Sequence, residues 1–253
     1  MNYTLITGAS AGIGAVFAKQ LAAEGRNLIL SARRQDKLEA LAQELRQQYG
    51  IDTQIVTADL ATPEGSQALF AAISRQGWKV NGLINNAGFG DRGLFSVLSL
   101  ERQLQMIQLN VTSLVELTYR LLPSIRQHSD AFIINVASTA AFQAGPNMAV
   151  YYASKAFVLS FSEALHEELK KDKIYVSALC PGATESEFAQ EANMTGTKLF
   201  KAGAMTAEAV VKKSLQRRKK AIVITGWKNI FGVWSGKLSP RSVTRKLAGW
   251  LQA

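Results

Sequence analysis

Cysteine is nearly absent from this chain. Cys180 stands alone among 253 residues, so no internal disulfide can form, and a reducing, cytoplasmic setting is the expectation. Long apolar runs are missing as well: 47% of the residues are apolar, yet no stretch reaches the roughly 18 needed to cross a bilayer. No spanning helix is therefore expected. The first strand-like pattern starts at Tyr3, which leaves no basic-then-apolar leader. Histidine is confined to His128 and His166, and no metal site is expected. Acidic residues are scarce in one region only. Residues 201–253 hold 12 Lys and Arg against the single Glu208, whereas residues 1–200 are close to balance at 17 against 18. The net charge of +10 is thus a property of the C-terminal fifth.

What the chain does contain is alternation. Apolar runs of strand character recur at 3–7, 27–32, 52–57, 82–85, 131–136 and 174–179. Between them lie segments of helical periodicity at 12–24, 35–49, 64–75, 100–125 and 149–170. Strict alternation predicts βαβ crossovers, hence an α/β fold whose parallel sheet is covered on both faces and binds ligands at the carboxyl ends of its strands. After Pro181-Gly182 the pattern loosens: 184–200 reads as a lid over a cleft, followed by a basic helix at 206–219, a short strand at 221–225 and a Trp-rich tail. One domain is expected, residues 1–200 with the lid, carrying residues 201–253 as a C-terminal helical extension packed on it.

Directly after the first strand stands Thr7-Gly8-Ala9-Ser10-Ala11-Gly12-Ile13-Gly14, opening a helix. Glycines allow a tight turn and close backbone approach, and the free N–H groups of the helix start attract a pyrophosphate. The same residues also fit the G-x-S-x-G elbow of serine hydrolases as Gly8-Ala9-Ser10-Ala11-Gly12. A hydrolase needs a histidine after a late strand, and neither His128 nor His166 sits in such a loop.

Tyr151 and Lys155 are four residues apart in a helical segment, 13 and 17 residues beyond Ser138. An i, i+4 pair shares one helix face, with about 6 Å of rise between them. An ammonium beside a phenol favours the phenolate and pulls its pKa down from about 10. On spacing alone such a pair is more often an amphipathic face. The remaining motifs change that balance: Gly8, Gly12 and Gly14, then Asp59-Leu60, Asn85-Asn86-Ala87-Gly88, Asn110, Ser138, Tyr151, Lys155 and Pro181-Gly182. In order and spacing this set resembles the short-chain dehydrogenase/reductase family over about residues 3–190.

The resemblance implies a doubly wound Rossmann fold in three layers, a nicotinamide cofactor and oxidoreductase chemistry. It makes Tyr151 the proton donor in carbonyl reduction and the base in alcohol oxidation. Lys155 lowers the tyrosine pKa and holds the nicotinamide ribose; Ser138 hydrogen bonds the substrate oxygen; the Asn110 side chain anchors a water that relays protons toward Lys155. Thr7, Gly8, Ser10, Gly12, Ile13, Gly14, Asp59, Leu60, Asn86, Ala87 and Gly88 surround the dinucleotide. Pro181 and Gly182 precede the carboxamide contact, which either Thr184 or Ser186 can make. A sensor or scaffold that kept the fold without the chemistry is an alternative, but the tyrosine, lysine and serine set is whole.

The second strand ends Ala32-Arg33-Arg34. An NAD enzyme places a carboxylate near this point for the ribose 2′-hydroxyl, and Ala32 occupies that position. Guanidinium groups suit a 2′-phosphate, so Arg33 and Arg34 predict NADP(H) and, with it, reduction. Phe89, Phe142, Met148, Phe188, Met194 and Phe200 suggest an apolar cleft for a fatty acyl, steroid-like or aromatic carbonyl; a small polar alcohol such as a hydroxy amino acid is the alternative. The basic C-terminal region, interleaved with Trp227, Phe231, Trp234 and Trp250, suits an anionic membrane surface or an acidic carrier. Nucleic acid is disfavoured for want of a reading module. The resemblance also implies a homodimer or tetramer packed through the helices at 100–125 and 149–170.

Overall fold

The computed structural model describes residues 1–194, 196–201 and 203–252. Thr195, inside the expected lid, and Ala202 and Ala253, in the basic region, lie outside the described residues. Strands β1 (Asn2–Thr7), β2 (Asn27–Ala32), β3 (Thr53–Thr57), β4 (Lys79–Asn85), β5 (Phe132–Val136), β6 (Tyr175–Cys180) and β7 (Ile222–Ile224) form one parallel sheet in the order β3-β2-β1-β4-β5-β6-β7. The helices are α1 (Gly12–Ala23), α2 (Gln35–Tyr49), α3 (Pro63–Arg75), α4 (Leu100–Ile107), α5 (Ser113–Ile125), α6 (Ala149–Glu168), α7 (Glu187–Glu191), α8 (Lys198–Lys201), α9 (Ala207–Gln216), α10 (Trp227–Leu238) and α11 (Arg241–Gln252).

Neighbouring strand residues point to opposite faces, and both faces are buried. On β1, Ile6 packs with Phe17, Leu21, Leu38 and Val210 under α1, α2 and α9. Its neighbour Leu5 packs with Leu69, Leu117 and Ile125 under α3 and α5. The sheet is therefore the middle of three layers, as the alternation predicts. Between β3 and β4 the chain crosses to the other side of β1, so the carboxyl ends of β1 and β4 diverge into a crevice.

Polar residues buried at these strand ends hold the crevice walls in place. The Thr7 hydroxyl donates to the Ile84 carbonyl at 3.3 Å and accepts from the backbone N–H groups of Asn86 and Ala87 at 3.0 and 3.1 Å. Asn85 donates to Thr118 and Asn135, and Asn135 donates to Ser162, which ties β4 and β5 to α5 and α6. Gly14 is required by packing, since a Cβ there would stand 2.2 Å from the Gly8 carbonyl oxygen.

One expectation changes. The helix expected over 100–125 is interrupted by one π turn, Gln108–Thr112, with Asn110 inside it. A π turn displaces one residue from the regular ladder and is common at functional sites. The Trp-rich tail is helical, as expected of the extension, and forms α10 and α11, joined through Ser239-Pro240.

Thr7→Val keeps the shape of Thr7 but strands two backbone donors. It is expected to lower unfolding free energy by about 2 kcal/mol in urea denaturation; unchanged stability would show that Thr7 does not brace the crevice.

Candidate active site

A cavity of about 430 Å³ opens at the carboxyl ends of the central strands. One end is walled by Gly8, Ser10, Gly12 and Ile13, with Arg33 and Arg34 after β2 and Asp59-Leu60 after β3. The other end is walled by Ser138, Tyr151, Phe188, Met194 and Phe200, and Lys155, Asn86, Ala87 and Gly88 lie along the floor. Pro181, Gly182, Thr184 and Ser186 close one side. Three expected site residues, Thr7, Gly14 and Asn110, do not reach the wall; they brace it from behind.

Tyr151 and Lys155 lie on the first turns of α6 and are buried. The Lys155 Nζ donates to the Val136 carbonyl at 2.8 Å and lies 5.9 Å from the centroid of the Tyr151 ring. Gly88 lets the floor come this close: a Cβ there would be 2.9 Å from Asn110 Oδ1 and 3.4 Å from Lys155 Nζ. Ser138 begins a short helical turn, Thr139–Phe142, and its hydroxyl both accepts from the Ala140 N–H and hydrogen bonds the Tyr151 phenol.

Electrostatics correct one expectation. Burial holds the Tyr151 phenol above its ordinary value of 10, the hydrogen bond from Ser138 opposes this, and Tyr152 adds to the rise. The same burial lowers Lys155 to about 8, against a smaller upward pull from Cys180. Desolvation disfavours whichever form is charged, so the two groups shift in opposite directions. Tyr151 therefore keeps its proton near neutral pH, which suits a donor. Lys155 is charged below about pH 8 and neutral above it.

Asn110 is held by three hydrogen bonds. Its Oδ1 accepts from the Phe89 N–H at 3.2 Å, and its Nδ2 donates to the Phe89 carbonyl at 3.0 Å and to Ser154 Oγ at 3.1 Å. Both amide hydrogens are used in joining the loop after β4 to α6. The side chain acts as a strut between them.

At the opposite end α1 starts with no side-chain cap and no acid in its first turn. Its first N–H groups lack intrahelical partners and carry the positive end of the helix dipole, so the residues present fit a pyrophosphate. Arg34 reaches back to the glycine loop, donating to Ser10 Oγ at 3.1 Å. The hydrolase pattern finds no support around Ser10, because neither histidine lines the cavity and His166 Nδ1 is bonded to the Val176 carbonyl at 2.7 Å. Arg33 is exposed.

Some neighbours went unread in the sequence. Glu187 meets Arg34 at 2.7 Å and Lys37 at 2.9 Å, and these two cations hold its carboxyl below the usual range. Thr184 donates to the Gly182 carbonyl and Ser186 to the Thr184 carbonyl, so both hydroxyls stand at the lid base. Of the expected apolar cleft residues, Phe89, Phe188, Met194 and Phe200 line the cavity. Met148 instead packs behind Tyr151, and Phe142 lies under Lys237 of α10. Ala248 and Leu251 of α11 complete the wall, a return of the distant C-terminus that no local pattern announces.

A family model described as short chain dehydrogenase matches residues 2–196. Very-long-chain 3-oxoacyl-CoA reductase of Anas platyrhynchos is 33% identical over 183 residues, 71% of this chain and 58% of the relative. Human 17-beta-hydroxysteroid dehydrogenase type 3 is 32% identical over 216 residues, 85% of this chain and 67% of the relative. The match thus spans about three fifths of the length of the first of these. A short-chain dehydrogenase from Sphingobium yanoikuyae, solved in complex with NADPH, superposes with a TM-score of 0.81 at 32% identity, covering 94% of this chain and 95% of that one.

The lowered Lys155 pKa can be read directly. In a lysine-labelled NMR titration one resonance, absent from Lys155→Met, is expected to titrate near pH 8; a Lys155 midpoint in the ordinary range above 10 would contradict its burial as a cation.

Proposed function

The chain belongs to the short-chain dehydrogenase/reductase family, and on that premise we propose that it uses NADPH to reduce a large apolar ketone or aldehyde of acyl or similar type. As a member it is an oxidoreductase with a nicotinamide cofactor and a small-molecule substrate. The observation that carries the finer reading is the composition of the wall beside Tyr151. Phe89, Phe188, Met194, Phe200 and Leu251 gather there, and among the described lining residues the cations are Arg33 and Arg34 at the opposite end and Lys155 on the floor. Beyond Lys155 a small acid would find no cation to hold it there, and Glu191, which also lines the cavity, would repel it, whereas an apolar chain or ring loses water against these side chains. The relatives are named for a 3-oxoacyl-CoA and for a hydroxysteroid, both of that class.

The bound nicotinamide supplies the hydride. The residues of the chain govern the proton: Ser138 orients the carbonyl oxygen, Tyr151 gives it a proton, and Lys155 stabilises the phenolate that remains. Arg34 and Lys37 share one carboxylate, Glu187, which leaves net positive charge for a 2′-phosphate. Residues 1–200 make up the catalytic unit in this reading, with 184–200 as its lid and 201–253 as an extension on the same domain. Leu100, Leu104 and Ile107 form an exposed stripe on α4, suited to pairing with a second copy. Among the described residues no helix is long and apolar enough to cross a membrane; buried, unpaired Cys180 agrees with a reducing, cytoplasmic setting.

Oxidation of NADPH and NADH against acyl thioesters, aromatic ketones, aldehydes and hydroxy acids tests the reading. NADPH is expected to win by about tenfold or more in kcat/KM, with large apolar carbonyls the best substrates. Arg34→Ala is expected to erase most of that preference through NADPH alone. Equal use of NADH by the native chain, or preference for hydroxy acids, would refute it.

A further inference from the structure

The C-terminal helices carry a surface that the reaction does not use. On α10, Trp227, Phe231, Trp234 and Leu238 follow one another at intervals of four, three and four residues, and all are exposed, Trp227 at 75% and Leu238 at 88%. That spacing sets them in one row along the helix. On α11 the exposed residues Val243, Leu247 and Trp250 repeat the pattern. Soluble surfaces seldom expose so many large apolar side chains together.

Charge says what such a row faces. Lys228 and Lys237 flank the α10 row, and Lys246 adjoins that of α11. Among the described residues none of these, nor Arg241 or Arg245, forms an ion pair with a carboxylate. No acid occurs after Glu208 in the sequence. A second copy presenting the same face would set like charges against each other. The α4 stripe, by contrast, has Glu101 and Arg102 beside it and suits a homotypic contact.

These helices are not a loose tail. Val233 of α10 is buried, Asn229 donates to the Thr225 carbonyl at 2.7 Å and sits where a Cβ on Gly182 would fall, and Ala248 of α11 is 2% exposed. The inner side of α11 brings Ala248 and Leu251 to the cavity wall. One helix thus carries both the apolar row and part of the substrate chamber.

We propose that α10 and α11 form a platform that lies on an anionic lipid surface, with Trp227, Phe231, Trp234, Leu238, Leu247 and Trp250 entering the headgroup boundary and the lysines meeting lipid phosphates. Aromatic and leucine side chains between cations are the composition that binds there. The chamber then opens beside the lipid, where apolar carbonyl compounds concentrate. This last step rests on the substrate reading above; the docking itself does not.

Flotation with vesicles of phosphatidylcholine, alone or mixed with phosphatidylserine, tests the platform. The full chain is expected to float with the mixed vesicles alone, to shift its tryptophan emission to the blue, and to be released as salt rises. Trp227→Ser combined with Phe231→Ser is expected to cut the bound fraction about tenfold, with NADPH oxidation by a water-soluble ketone unchanged. Lys228→Glu with Lys237→Glu is expected to abolish binding while leaving the apolar row intact. No binding to the mixed vesicles, equal binding to neutral ones, or conversion of a dimer to a monomer by the double apolar variant would each overturn the proposal. Because the soluble-ketone assay is independent of vesicles, failure of the catalytic reading and failure of docking are distinguishable.

Discussion

A lysine ammonium taken almost out of water is the constraint on which the rest of the site depends. Desolvation brings Lys155 down to about 8, and the offsetting contact is the Val136 carbonyl at 2.8 Å, the last residue of β5. That bond fixes how deeply α6 sits against the end of the sheet. To seat the amine there, Gly88 must lack a side chain, and Asn110 must hold the loop at Phe89 against Ser154, the residue before the lysine. The π turn in the neighbouring helix places Asn110 for that task. Sheet end, floor loop and two helices thus meet around one charge.

The same dryness sets the chemistry. Burial keeps the proton on Tyr151 and weakens the hold of Lys155 on its own, so a protonated phenol and a charged amine coexist only below about pH 8. Ser138 moderates the effect through its hydrogen bond to the phenol. A second division runs through the molecule: Thr7, Asn85, Asn110 and Asn135 spend their polar atoms on structure, whereas Ser138, Tyr151 and Arg34 face the cavity. Satisfied polar atoms behind the wall let the groups in front of it stay fixed.

The three-layer sheet was legible because each strand is apolar on both faces and each helix carries its own period, signals that are local. Tyr151, Lys155, Ser138 and the glycine loop were legible through their order along the chain. Less could be read where side chains of distant segments meet. The bonds of the Asn110 amide to Phe89 and Ser154 went unread, since those partners are set by folding rather than by spacing. The electrostatic sign was missed for a related reason: proximity of Lys155 to Tyr151 follows from i, i+4, while the desolvation that outweighs it depends on the whole surrounding core. Glu187 beside Arg34 and Leu251 at the chamber wall needed the chain to return from far away. In the tail the helical character was legible but the bounds of α10 and α11 were not, because apolar residues there occupy the outer face as well as the inner one.

The proposed function rests on one event, the passage of a proton from the Tyr151 phenol to a carbonyl oxygen. The most direct measurement is turnover of Tyr151→Phe beside its affinity for NADPH by fluorescence titration. Turnover lowered by about a thousandfold with dinucleotide affinity nearly unchanged is the expected result. Turnover within a few-fold of the native chain would contradict the role of the phenol as proton donor.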